Sequence, residues 1–287
     1  MDPCTRDPRT SGTLPVPGAR LYFEERGAGP LLLLIAGGNS DAAVFKRLAA
    51  ALAAHHRVVT YDPRGNSRSV PDGPRAEPYR VGQHADDAVR LLDHLAGPDE
   101  PVRVFGSCSG GQVALELAVR HPVRVRWTVA HEPPALAVLP DAADHLALVA
   151  DVRETFRRSG LVPAMRRLQA LYGNTPAPTL PEAHDNTAYF LARVVGPATR
   201  FVPDLDALAA LRGRVALAGG EDSRTHVVHR PAVVLARRLG SRMELFPGGH
   251  AGYARYPGAF ARRLAEVFGA LDGAAAGAAT RRPVPER

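Results

Sequence analysis

The chain has 287 residues, 45% apolar and 23% charged, a usage that suits a globular protein with a large core and excludes collagen-like, coiled-coil and low-complexity classes. Thirty-six basic residues against 29 acidic ones leave a net charge of +7, almost all of it from arginine, Lys46 being the only lysine. No apolar run approaches the roughly 18 residues of a membrane span, and the polar, proline-rich start has no apolar segment of the secretory kind.

A cytoplasmic protein is therefore expected, with a flexible tail over residues 1–17. Leu31 to Ile35 is a continuous apolar run ending in Ala36-Gly37-Gly38-Asn39, and Arg57 to Tyr61 is a second run ending in Asp62-Pro63-Arg64-Gly65. Both read as buried parallel strands. Helical spacing over Ala42–Ala54 and Val81–Leu95 separates them from a third strand at Val102–Phe105, and a helix over Gly110–Arg120 leads to a fourth at Val125–Ala130. Strand alternating with helix predicts an α/β fold with a mostly parallel sheet covered on both faces.

After His131-Glu132-Pro133-Pro134 the pattern changes to successive amphipathic helices, broken by prolines and by Gly173-Asn174. Strands resume at Val215–Ala218 and Met243–Phe246, each followed by a helix, the last over Pro257–Leu271. Residues 134–211 are thus expected to form a helical lid inserted into a core made of residues 18–133 and 212–272. Residues 273–287, rich in Ala, Gly, Pro and Arg, read as a disordered tail.

Two cysteines occur, Cys4 and Cys108, too few for a disulfide framework. Cys108 lies in Val104-Phe105-Gly106-Ser107-Cys108-Ser109-Gly110-Gly111, an apolar strand that enters a helix through glycines. This has the form G-x-Nu-x-G, in which a nucleophile sits on a strained turn and the flanking glycines remove side chains that would clash. Centring the motif on Ser109 instead loses the first glycine, so Cys108 is favoured. His226 and His229 stand three apart, but no third ligand at metal-like spacing accompanies them, and neither a metal nor a cofactor is expected. Zinc-finger spacing, RNP-like strands and long basic blocks are absent, so nucleic acid is set aside. The arginine pairs 157–158, 166–167, 237–238 and 262–263 read as solvated helix faces or as a docking patch for an acidic partner.

The elbow, its place in the chain and the flanking alternation resemble the α/β-hydrolase superfamily over roughly Arg20 to Leu271. That resemblance implies the order nucleophile, acid, histidine. His250, in the Gly248-Gly249-His250 loop after a strand, is then the general base, with His131 a second candidate in the wrong order. The acid is Glu132 or Asp222. Glu132 is favoured, because the family's Gly-Glu-x-Asp register after Val215–Ala218 lands on Ser223. The Ser109 and Gly38 amides are the expected oxyanion donors. Asp62 to Ser69 resembles the family's Asp-x-Arg-Gly-x-Gly-x-Ser loop and is read as structural, Asp62 accepting from backbone amides.

A thiol attacks as its thiolate, which a histidine partner and a helix N-terminus both favour. The resemblance therefore implies acyl transfer from a thioester, an activated ester or a lactone. Within the superfamily the chain is similar to off-loading Dieckmann cyclases, which would imply an acyl or peptidyl carrier protein as partner. The alternative is a general ester or lactone hydrolase acting on a small-molecule acyl substrate. A ligand receptor built on the same fold is a third, non-enzymatic reading.

Overall fold

The computed structural model describes residues 9–73, 79–97, 100–174 and 183–279. In chain order the elements are β1 (Arg9–Val16), β2 (Ala19–Arg26), β3 (Leu31–Ile35), α1 (Lys46–Leu52), β4 (Arg57–Tyr61), β5 (Val70–Pro71), α2 (Val81–Leu95), β6 (Val102–Ser107), α3 (Ser109–Arg120) and β7 (Val125–His131). Then come α4 (Ala142–Ser159), α5 (Leu161–Leu168), α6 (Ala183–Tyr189), α7 (Val195–Arg200), α8 (Leu205–Ala210), β8 (Val215–Gly220), α9 (Arg230–Arg238), β9 (Met243–Phe246), α10 (Gly252–Arg255) and α11 (Pro257–Ala279). One nine-stranded sheet has the order β1-β2-β4-β3-β6-β7-β8-β9, with β5 paired to β2. From β4 to β9 every neighbouring pair is parallel.

The all-apolar β3 is buried along its whole length, as a strand covered on both faces must be. Side chains alternate across a strand. Leu31, Leu33 and Ile35 accordingly join the core with α2, α3 and the inserted helices, whereas Leu32 and Leu34 join the opposite core with α1 and α11. The fold is thus the expected α/β-hydrolase arrangement, a mostly parallel sheet flanked by helices. Between β7 and β8 the described residues are mostly helical, including a π-helical turn over Phe190–Val194, with no strand among them, and they lie over the carboxyl edge of the sheet.

Both expected tails are corrected where they are described. β1 pairs with β2 from Arg9 opposite Arg26 to Val16 opposite Ala19. Its Pro15 suggested a loop, but β1 is the edge strand, where a missing N–H costs no ladder bond. At the other end α11 continues to Ala279, because the run Ala274-Ala275-Ala276 favours helix more than Gly273 and Gly277 oppose it. Residues 1–8, with Cys4, and residues 280–287 lie outside the described residues.

The loop after β4 is fastened by charge. Asp62, fully buried, accepts from the Ala42 and Arg68 amides (both 3.0 Å) and from the Arg68 guanidinium. Arg64 donates to both oxygens of buried Asp87, at 2.8 and 2.7 Å. This rigid loop is where the inserted helices attach. Ser67 N donates to Asn186 Oδ1 at 2.7 Å, Asn186 Nδ2 donates to Ser67 Oγ at 2.8 Å, and Asn39 Nδ2 donates to Thr187 Oγ1 at 2.7 Å.

Removing one partner of a buried ion pair strands the other charge, at a cost of about 3–5 kcal/mol. Asp87→Ala is expected to lower stability by about that much, read as a drop in urea midpoint at unchanged slope. An Arg64→Met/Asp87→Leu double variant is expected to recover most of it.

Candidate active site

β6 ends and α3 begins within one residue, and that residue is Cys108, at φ 56° and ψ −132°. A non-glycine side chain at positive φ is costly, roughly 1–3 kcal/mol, and is held only where its surroundings enforce it. The enforcement is close packing. A Cβ on Gly106 would collide with the carbonyl of Gly110, and one on Gly110 with the carbonyl of Ile35. Ser109 is already the first residue of α3, so the tip of the turn is Cys108, 7% exposed.

His250 follows β9. Its Nδ1 lies 2.7 Å from Glu132 Oε2, and its ring also hydrogen-bonds Cys108. Burial pulls the imidazole pKa down, but the facing Cys108 and Glu132 outweigh burial and push it up to about 10. Glu132, fully buried just past β7 at φ 45°, uses its other oxygen elsewhere. Oε1 accepts from the Gly220 amide at 2.8 Å, from the Ser223 hydroxyl, and lies 3.0 Å from His229 Nδ1. Burial alone would raise the carboxyl pKa; the bonds from His229 and His250 hold it well below the usual range.

The two acid candidates are thereby separated. Asp222 is exposed, with its amide on the Gly248 carbonyl, and the His250 nitrogen it would have bonded is taken by Glu132. Ser223 occupies the register where the family pattern expects an acid, and its hydroxyl serves the carboxylate that arrives from the neighbouring strand.

The two amides expected as oxyanion donors are not equally placed. Gly38 does lie against the sulfur, since a Cβ built on it would fall 3.8 Å from Cys108 Sγ. Its amide, however, donates to Ser109 Oγ at 2.8 Å. The Ser109 amide opens α3, where the helix dipole also favours negative charge. Ser109 therefore presents a backbone donor and a hydroxyl that the Gly38 amide polarises.

Three groups carry no signal that sequence reasoning used. Tyr172, from the inserted helices, hydrogen-bonds Cys108, and its ring meets that of His250 at 4.9 Å; burial and Cys108 raise its phenol pKa. His229, weighed only as half a metal pair, braces Glu132. Tyr79 stands behind Ser109. A narrow apolar cavity lined by Cys108, Leu136, Leu171, Tyr172, Phe190 and Val195 opens directly on the sulfur.

His131, the second base candidate, lies beside His250, ring centres 6.4 Å apart, but its Nδ1 is on the Ser107 hydroxyl at 3.3 Å. It is fully buried among Phe105, Phe246 and Phe260. Burial lowers its pKa from 6.5 to about 4, Glu132 opposing and His250 and His229 assisting. Between those two values the unfolded chain binds a proton that the folded one refuses, so stability rises with pH across the window and is lost as pH falls through it. His131→Phe is expected to flatten the dependence of urea midpoint on pH between about 4 and 6.5; an unchanged slope would refute this assignment.

The sequence profile of a family described as alpha/beta hydrolase fold matches residues 30–180. The chain is 35% identical over 264 residues to a Bacillus subtilis (strain 168) protein named uncharacterized hydrolase YraK, covering 90% of this chain and 96% of that one. It is 27% identical over 271 residues to a zearalenone hydrolase of Bionectria ochroleuca, covering 90% and 98%. Among solved structures, a thermophilic esterase from Thermogutta terrifontis superposes with a TM-score of 0.68 at 23% identity, over 92% of this chain and 98% of that one. With the elbow and sheet order described above, these likenesses establish that the chain belongs to the α/β-hydrolase fold family.

Proposed function

We propose that the protein hydrolyses carboxylic esters, lactones among them, through an acyl-cysteine intermediate on Cys108. The observation that carries this reading is the continuous chain Cys108–His250–Glu132 at the strained elbow. The relatives named as hydrolases support water as the final acceptor.

In the first half-reaction the thiol proton rests on His250, whose pKa of about 10 favours the imidazolium, and Sγ attacks the acyl carbon. The charge that develops on the carbonyl oxygen meets the Ser109 amide and hydroxyl, fixed before the substrate arrives. His250 then returns its proton to the leaving oxygen, and an acyl thioester remains on Cys108. In the second half-reaction His250 takes a proton from water, hydroxide attacks the thioester, and the sulfur leaves and recovers its proton. Throughout, Glu132 holds His250 in one tautomer and offsets the imidazolium charge. The Tyr172 hydroxyl steadies the sulfur whenever it carries charge.

Release by Dieckmann cyclisation would use the same acyl-cysteine but needs a carrier to deliver it. Of the eight arginines that suggested such docking, four are in local ion pairs: Arg157 and Arg158 with Glu154, Arg167 with Asp151 and Arg263 with Glu244. Hydrolysis of a free small molecule is therefore preferred.

The test is intact mass spectrometry after brief exposure to a 4-nitrophenyl ester and to an N-acetylcysteamine thioester of the same acid. An adduct abolished by Cys108→Ala and retained by Ser109→Ala, with free acid as product, is expected; the reverse pattern would make Ser109 the nucleophile. In steady state, Glu132→Gln is expected to lower kcat roughly 10³–10⁴-fold, while Asp222→Asn stays within about twofold, as surface changes do. Equal losses in both would overturn the assignment of the acid.

A further inference from the structure

Ser109 also borders a second space, bounded with it by Gly38, Tyr61, Arg64, Tyr79 and His84. Two of its walls are buried tyrosines: Tyr61, 1% exposed, has a hydroxyl without a hydrogen-bond partner, and Tyr79, 7% exposed, has a hydroxyl that meets only Ser109. A buried hydroxyl left unsatisfied costs about 1–3 kcal/mol, and the Tyr61 hydroxyl, with the remaining capacity of Tyr79 next to it, leaves room here for a group that bonds both. The Tyr79 hydroxyl lies beside Ser109, whose Oγ is 2.8 Å from the Gly38 amide. The pair therefore sits a few bonds from where a reacting carbonyl oxygen would rest.

The charge around this space says what the group is. Arg64 is spent on Asp87 through two short bonds. His84, stacked on Tyr79 at 4.6 Å, is kept neutral by burial and by Arg64, its pKa lowered to about 3. A carboxylate or ammonium placed here would be buried without a counter-charge, which is strongly disfavoured. A neutral group that both donates and accepts fits, and the opening admits one hydroxyl-sized group.

Direction follows from proton traffic. His250 must hand its proton to the leaving oxygen, so the leaving group lies on the His250 side, where Tyr172 lines the apolar cavity. The acyl chain then extends past Ser109 toward Tyr79. We propose that the Tyr61–Tyr79 pair is a subsite for a hydroxyl borne on the acyl chain near its carbonyl, making hydroxyacyl esters the preferred substrate class. This rests on the acyl-transfer reading of Cys108 given above.

The experiment compares 4-nitrophenyl butanoate with both enantiomers of 4-nitrophenyl 3-hydroxybutanoate, which share one leaving group. Wild-type enzyme is expected to favour one hydroxylated enantiomer by about 10–100-fold in kcat/KM, because a site built for a hydroxyl rejects the analogue lacking it. Tyr61→Phe and Tyr79→Phe are each expected to reduce that ratio about tenfold or more, and the double variant to bring it near one. Wild-type discrimination is readable without any variant, so a misfolded variant does not decide the matter. A wild-type ratio near one, or a ratio unchanged in folded variants, overturns the subsite. Mass spectrometry separates the two claims: equal acylation of Cys108 by all three esters refutes the subsite alone, whereas no acylation by any refutes the acyl-transfer reading beneath it.

Discussion

At the end of β6 the chain reverses within one residue, and Cys108 takes that reversal at a positive φ. The reversal is possible only because α3 comes so close to β6 and β3 that neither Gly106 nor Gly110 has room for a methyl group. The same closeness delivers the helix's first amide to the sulfur and brings the Gly38 loop onto Ser109. Sulfur, dipole and donors are thus positioned by a single steric constraint. The rest of the site is built outward from it, and the core burial of the sheet holds it in place.

The carboxylate that holds His250 comes from a different strand end than the one where the family pattern expects an acid. Glu132 arrives from β7 instead of from the loop after β8, at a positive φ of its own. It is received by the Gly220 amide, the Ser223 hydroxyl and His229, groups of the neighbouring strand and the segment after it. With one oxygen fully occupied, the other is fixed toward His250. A buried carboxylate is costly unless paired and hydrogen-bonded, and here both conditions are met by groups that are themselves buried.

Much of this was legible in the sequence because it was written in local patterns. The buried strands announce themselves as apolar runs, the elbow as glycines two residues to either side of Cys108, and His250 as a histidine among glycines after a strand. Glu132 was preferred over Asp222 because the acid's register falls on Ser223. What was not legible depends on contacts between distant segments. Tyr172 reaches Cys108 from the inserted helices, and Tyr79 reaches Ser109 from just before α2; nothing in either neighbourhood marks a site residue. β1 was misread because a proline at an edge strand resembles a proline in a loop, and the end of α11 because alanine's helix preference was outvoted by glycine and proline in a composition count.

The helices over the site are stitched to its floor by Ser67 with Asn186 and Asn39 with Thr187. Every one of these bonds joins uncharged groups, and water can replace each partner almost one for one at little net free-energy cost. An ionic clasp at the same place would tie access to the salt content of the medium. Amide and hydroxyl partners make this particular contact insensitive to ionic strength, unlike the Arg230–Asp141 ion pair that ties the start of α4 to α9.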